Sequence, residues 1–295
     1  MKSKKSDPLS TGKVYAAAIG YLRKNSAIFI PFFIFFIFDF ISLAVLYLAP
    51  RMPLKLLFGP PIRTFWGEEF LHYPMNFLLL SQLSSLSRMV IGVVFGSLLT
   101  GMAVAMISDV YNKKQIHLKD SFKASLKRYF DLFAIVLIFT LLFYFLQKFA
   151  VWGLVKYFVS GRQRLFFVGA KLWLGPGLLC LNFILAAFIQ AAFVYAIPFI
   201  IIGKNKLFKS MIKSFGLFGK FFIRTLILVS LPMFVYIPIS ILQSKSSILI
   251  TKFFPESVLL LLILGSLISS LVIDLLVTVS TTCLYLMNEE KIGTK

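Results

Sequence analysis

Six long apolar runs alternate with short basic stretches along this chain. They lie at about 26–49, 86–108, 130–150, 177–202, 220–242 and 257–287. Each approaches the roughly 20 apolar residues that a helix needs to cross a hydrocarbon core. The stretch Leu118 to Phe139, LKDSFKASLKRYFDLFAIVLIF, shows how the two patterns join. Lys119, Lys123 and Lys127 recur every four residues, and Leu118, Phe122 and Leu126 recur one position earlier. Charged and oily stripes therefore run side by side on one helix. From Leu132 the charges stop and the pattern becomes oily all round. This predicts a helix lying on a membrane surface that then turns into the bilayer. Residues 11–24 predict a weakly amphipathic, Ala-rich helix carrying Lys13, Arg23 and Lys24, and the polar residues 1–10 predict a disordered tail. The fourth run is expected to begin after the breaker Gly175-Pro176-Gly177, and the fifth to be bent by Pro232 and Pro238.

The same unit recurs. In GKNKLFKSMIKSFGLFGKFFIRTLILV, residues 203–229, Ser210 and Ser214 align with Ser121 and Ser125. Each unit has small residues at i and i+4, several lysines, and then aromatics leading into an apolar run. The N-terminal unit shares the small, aromatic and basic mix but not the serine pair. The pattern divides a single membrane domain, 1–295, into repeat units at 11–110, 111–203 and 204–290. A plainer account is that any chain re-entering a bilayer looks amphipathic and basic.

Composition narrows the class. The chain is 59% hydrophobic and 14% charged, with mean hydropathy +0.90 and 34 phenylalanines, which excludes an ordinary soluble domain. Backbone groups at membrane depth must be satisfied within their own helix. The expected fold is therefore all-α, a polytopic membrane helix bundle with about six transmembrane helices as three hairpins, each preceded by a cytoplasmic amphipathic helix. The net charge of +20 comes from 31 Lys and Arg against 11 Asp and Glu. These charges sit in short clusters between oily segments, which points to topology and anionic lipid as partners and away from nucleic acid.

With both termini inside, the inner segments carry 20 basic residues and the outer segments 11. Trp66, Trp152 and Trp173 then all fall on the outer side, close to span ends. The expected location is a bacterial cytoplasmic (inner) membrane, multi-pass and N-in/C-in; a Lys-over-Arg and Phe/Ile bias hints at a low-GC bacterium. The outer segments after the first and third runs are too apolar for loops and are expected to form short amphipathic helices along the interface. The N-terminus lacks a cleavable signal design, so the first run is expected to remain as a span. Cys180 and Cys283 lie inside predicted spans, which favours neither a disulfide framework nor a thiolate metal site.

Ionisable groups at membrane depth are candidates for function because they are expensive there. Asp39 and Asp274 qualify. Counted from opposite sides they reach a similar depth, where they could share a proton or hold a cation, or be hydrogen-bonded to Ser42, Ser270 or Thr278. Asn182 and Gln190, eight residues apart on one helix face, read as interhelical glue. Lys119, Lys123, Lys127, Lys209 and Lys213 are candidates for binding anionic lipid or a partner. On the outer side Arg63, Trp66, Glu68, Glu69 and His72 form the densest polar cluster, with Glu68 and His72 sharing a helix face at i, i+4. One histidine is too little for a metal site, and no catalytic constellation, P-loop, dinucleotide fingerprint or nucleophile elbow is present. No cofactor or metal is expected. Gly92 and Gly96 predict close helix packing, and the small residues of the sixth run predict that it sits inside the bundle.

Ala196-Ile197-Pro198, followed by an apolar run and then GKNKLFKSMIKS, resembles a broad group of bacterial six-helix membrane proteins of unknown function. That group includes the membrane domain attached to some glycerophosphodiester phosphodiesterases. The resemblance covers about 110–225 and brings no catalytic motif; the soluble phosphodiesterase domain has no counterpart here, so that activity does not transfer. The function expected is a non-enzymatic integral membrane protein in membrane organisation, lipid handling or complex assembly. The alternatives are a secondary transporter or transport subunit using Asp39 and Asp274, and a membrane-embedded lipid enzyme resting on the outer cluster.

Overall fold

The computed structural model describes residues 10–160 and 167–293. The disordered tail expected at 1–10 falls, up to residue 9, outside those residues. Among the described residues every regular element is helical. The helices are α1 (Thr11–Lys24), α2 (Ile30–Leu48), α3 (Lys55–Phe65), α4 (Asn76–Ile91), α5 (Ser97–Tyr111), α6 (Leu118–Lys127), α7 (Tyr129–Ser160) and α8 (Phe167–Phe193). They continue as α9 (Ala196–Ile201), α10 (Leu207–Lys220), α11 (Phe222–Phe234), α12 (Ile237–Ser244), α13 (Ser246–Lys252), α14 (Glu256–Ile268) and α15 (Leu275–Gly293). Five stretches are long and apolar enough to cross a membrane: Ser26–Leu48, Asn76–Tyr111, Tyr129–Ala150, Gly177–Ile201 and Glu256–Ile292. A sixth is reached only if α10 and α11, which meet at a bend of 97°, are taken together as one span. The protein is an all-α, multi-pass membrane helix bundle.

Several boundaries differ from the sequence reading. The second span runs 76–111, not 86–108, so Arg88 lies within a membrane-length helix instead of at its outer edge. The helix α8 passes unbroken through Gly175-Pro176-Gly177. A proline forfeits one backbone hydrogen bond, and where no water competes a continuous helix still satisfies the remaining ones. For the same reason α7 continues to Ser160 where an interfacial helix was expected to begin. The segment between the first two spans does fold as expected, into α3 and a 3-10 turn at Glu68–Leu71. The fifth run is interrupted between α11 and α12, with Pro232 inside the first and Pro238 at the start of the second.

The amphipathic helices gather at one end of the bundle. A single core cluster there joins Val14, Ala18 and Leu22 of α1 to Leu217 of α10 and to Val279, Cys283 and Leu284 of α15. Small residues set the contact. Ser121 and Ser125 of α6 are buried against α5, and the Ser125 hydroxyl donates to the Leu98 carbonyl at 2.6 Å. Ser210 and Ser214 of α10 are buried likewise, and the Ser214 hydroxyl donates to the Ala192 carbonyl of α8 at 2.7 Å. The aligned serines thus make matching contacts, each bonding the last helix of the preceding hairpin. The connectors before α6 and α10 also both turn through a residue of positive φ, Lys113 and Lys204. The N-terminal α1 packs on α15, which closes the circuit, and Tyr15 ties it to α11 by donating to the Leu228 carbonyl at 3.0 Å. Burial pushes the Tyr15 hydroxyl up to about 12, so it remains a neutral donor near pH 7.

The oily stripe of α6 faces away from the protein, as do its lysines. Leu118, Phe122 and Leu126 are exposed together with Lys119, Lys123 and Lys127. On α10, Phe208 and Ile212 are more than 70% exposed beside Lys209 and Lys213. A helix that buries its small face in protein and leaves both apolar and basic side chains outside has the pattern of a membrane-surface helix. The sixth span sits inside the bundle as expected: Ser266, Ser270, Thr278, Ser280, Thr281 and Thr282 are all buried.

Candidate functional site

The buried polar centre is built by three helices. From α2, Asp39 is 7% exposed; from α4, Arg88 extends toward it, with 3.4 Å between guanidinium and carboxylate. Beside them α14 supplies Ser266, whose hydroxyl donates to the same Asp39 carboxylate. The following π-helical turn, Ser269–Asp274, supplies Ser270, which accepts from Arg88 at 3.4 Å. Ser42 and Ser87 hydrogen-bond across α2 and α4 just beyond. Ser266, Ser270 and Asp274 are spaced by four, so one stripe of the sixth span addresses the whole cluster. A buried ion pair is tolerable only when its remaining lone pairs and protons are matched, and the serines do that here.

Asp39 and Asp274 do not meet directly. Arg88 lies near both, and Asp274 feels the charges of Arg88 and Asp39 together. Among the described residues no group hydrogen-bonds the Asp274 carboxyl, which lines a cavity of about 540 Å³. A second cavity of about 290 Å³ lies on the other side of the ion pair, lined by Asp39, Ser81, Ser84 and Gln243. Arg88 and Ser85 line both. One arginine thus forms part of the partition between two chambers. The large cavity runs along the bundle, reaching Thr281 and Thr282 toward the end that holds α1, α6 and α10, and Tyr144 and Gln147 farther along α7. The small one extends toward the opposite end, where Tyr236 donates to Gln243 at 3.0 Å.

The spans that carry this centre depart from regular α-helix there. Gly92–Gly96 and Ser269–Asp274 are π-helical turns, and α8 gives way to α9 at Val194 and Tyr195. Such turns release a backbone bond and re-aim side chains, and they recur at functional sites. The expected glycine packing is half right. A Cβ at Gly96 would meet the Phe35 ring at 3.1 Å, whereas Gly92 has open space around it and lines the large cavity.

The other expected residues are dispersed. Asn182 and Gln190 form no interhelical glue among the described residues: the Asn182 carbonyl oxygen is buried without a partner, and Gln190 lines the large cavity. The outer cluster does not converge. Arg63 pairs with Glu68 at 3.0 Å on an exposed surface, and Trp66 donates to Gln82 at 3.3 Å. Glu69 is exposed, and His72 caps a 3-10 turn in extended conformation, so Glu68 and His72 share no helix face. The i, i+4 argument fails because that segment never completes an α-helical turn. Of the lysines, Lys119, Lys123, Lys127 and Lys209 are exposed, while Lys213 donates to Asn205 at 3.3 Å and lies over the Phe199 ring. The side chain of Trp173 lies outside the described residues.

The sequence reading missed Arg88. In a run that begins at about 86 it stands at the edge, where an arginine reads as an outer flank. A signal was present: an aspartate at depth calls for a cation, and the facing half of the same hairpin carries one arginine within its apolar pattern. Ser266 was noticed only as a small residue. No protein-family model matches this chain, and no curated protein or solved structure matches it either.

Proposed function

We propose that this protein is a secondary transport protein or transport subunit whose working centre is Asp39, Arg88 and Asp274. The observation that carries the reading is the position of Arg88, paired with Asp39 and lining both cavities. Two cavities that share Arg88 at their boundary support this reading, since a change in the pairing of that one side chain would alter passage between them. Asp274, unpartnered beside that pair, is the group able to load and release a proton or a cation as the pair opens. The irregular turns at the same level supply helix segments able to shift without unfolding a whole span. A purely structural role would favour a closed apolar core at this depth. Proton flux into proteoliposomes, followed with an entrapped pH-sensitive dye under an imposed membrane potential, tests the reading. Flux is expected for the wild type, with a loss of at least tenfold for Asp274→Asn. Equal flux in wild type, Asp274→Asn and protein-free vesicles would remove it.

Orientation and lipid contact belong to the same proposal. The protein sits in a bacterial inner membrane with both termini and the three amphipathic helices on the cytoplasmic side. Supporting this, α1 and α10 share one core cluster with α5 and α15, and α6 packs on the same α5, so the basic residues of all three helices belong to that region of the bundle. The exposed Lys119, Lys123, Lys127 and Lys209 then meet anionic headgroups, and the neighbouring apolar side chains enter the interface. This lipid contact anchors the bundle and is compatible with transport.

A further inference from the structure

The geometry points to a binding site for a lipophilic monovalent organic cation in the large cavity, with Asp274 as its counter-charge. This names the substrate class for the transport reading and rests on it in that respect, although the binding site itself can be tested without any transport.

The charges set the sign of the ligand. Arg88 is already matched by Asp39 at 3.4 Å and by Ser270. That leaves Asp274, which among the described residues has no hydrogen-bond partner, as the unmatched charge at the wall of the cavity. An anion would find its only guanidinium taken and a carboxylate beside it. A cation would find a free carboxylate in surroundings of low dielectric, where such a charge is poorly tolerated alone.

The walls set the size and polarity. A volume of about 540 Å³ is that of a small-molecule site and far exceeds what a bare ion fills. Among the described residues no three His, Cys, Asp or Glu side chains are grouped to hold a metal ion, so a hard divalent cation lacks its oxygen ligands. The lining is otherwise rich in aromatic rings, with Phe35, Phe139, Phe143 and Phe193 from α2, α7 and α8. Aromatic faces attract cations through the ring quadrupole, and they also shelter the hydrocarbon that such a cation carries. Toward the inner end the Thr282 hydroxyl is buried without a partner, a spare polar group for an amine or a bound water.

Access for such a ligand follows from the helix packing. Both α2 and α7 line the cavity, and each packs on the second span, but the two do not form a packed pair with one another. The face between these two helices is therefore the route assigned to an amphiphilic cation, which partitions into the bilayer in any case.

Tetraphenylphosphonium is the probe, with tetraphenylborate as a partner of the same shape and opposite charge. Equilibrium binding is measured on the full-length protein purified in detergent. Saturable binding of tetraphenylphosphonium near one per chain is expected, with none of tetraphenylborate. Asp274→Asn should weaken it at least tenfold and Phe143→Ala several-fold, while Asp274→Glu should retain it and Lys252→Gln should leave it unchanged. Absence of saturable binding to the wild type, equal binding to Asp274→Asn, or equal binding of tetraphenylborate would each overturn the proposal. Should Asp274→Asn fail to fold, the comparison of the two probes on the wild type decides alone. Binding that is intact in a protein that moves neither protons nor the probe would sink the transport reading and leave the site standing.

Discussion

The Arg88 guanidinium stands 3.4 Å from the Asp39 carboxylate, joining the two helices of the first hairpin inside the bundle. Ser266 and Ser270 of the last span complete that pair, so the first and last hairpins are joined through it. Removing one member should hurt more than removing both. Arg88→Ala leaves a buried carboxylate without its cation and is expected to cost about 3–5 kcal/mol. The double variant Asp39→Asn, Arg88→Gln is expected to lose less. Thermal unfolding in detergent checks the order, and a double variant no more stable than Arg88→Ala would refute a partnership in the folded state.

Gly101 is where α6 meets the bundle most closely. A Cβ there would lie 2.5 Å from the Ser125 hydroxyl and 2.6 Å from a Leu132 methyl. Gly101→Ala should destabilise by about 1–3 kcal/mol, because overpacking forces neighbours off their rotamers. Gly216→Ala on α10, with open space around it, should be neutral or slightly stabilising. Ser125→Ala and Ser214→Ala should each cost roughly 1 kcal/mol, the net worth of a hydrogen bond. Hydrogen exchange is expected to rise in α6 for the first and in α10 for the second.

Topology is open to a direct check. A reporter fused after Lys114 should read cytoplasmic, and one after Lys245 should read external. The opposite readings would invert the orientation without altering the bundle, since helix packing is blind to which side faces the cell.

The exposed lysines of α6 give a separate expectation. Replacing Lys119, Lys123 and Lys127 with Gln removes about 1 kcal/mol of attraction per residue to an anionic surface. Native mass spectrometry should show fewer co-purifying anionic lipids, with thermal stability unchanged because these side chains face outward. Undiminished lipid retention would remove the role assigned to this face.

The same comparison shows where pattern ends and packing begins. The lysine and leucine spacing of 118–127 sufficed to place an amphipathic helix, and the apolar run after Leu132 sufficed to follow it with a span. The serine pairs were visible as small residues, and their alignment anticipated matching contacts. Gly175-Pro176-Gly177 marks where the fourth membrane-length stretch begins, as expected, but α8 itself runs on through it. Arg88 looked like an outer flank and instead lies half-buried against the Asp39 carboxylate.

By itself the sequence determined the class, the span order and the amphipathic helices. Those depend on hydrophobic periodicity and on the need to satisfy each backbone group within its own helix, both local properties of the chain. Only the tertiary structure decided that Asp39 meets Arg88, that Ser266 serves Asp39, and that Asp274 is left facing a cavity. These pairings span up to 227 positions in the chain and depend on which helix faces turn inward. In an apolar helix surrounded by lipid, hydropathy is nearly the same on every side. The direction in which a single charge points is therefore set by its partners across the bundle, not by its neighbours in sequence.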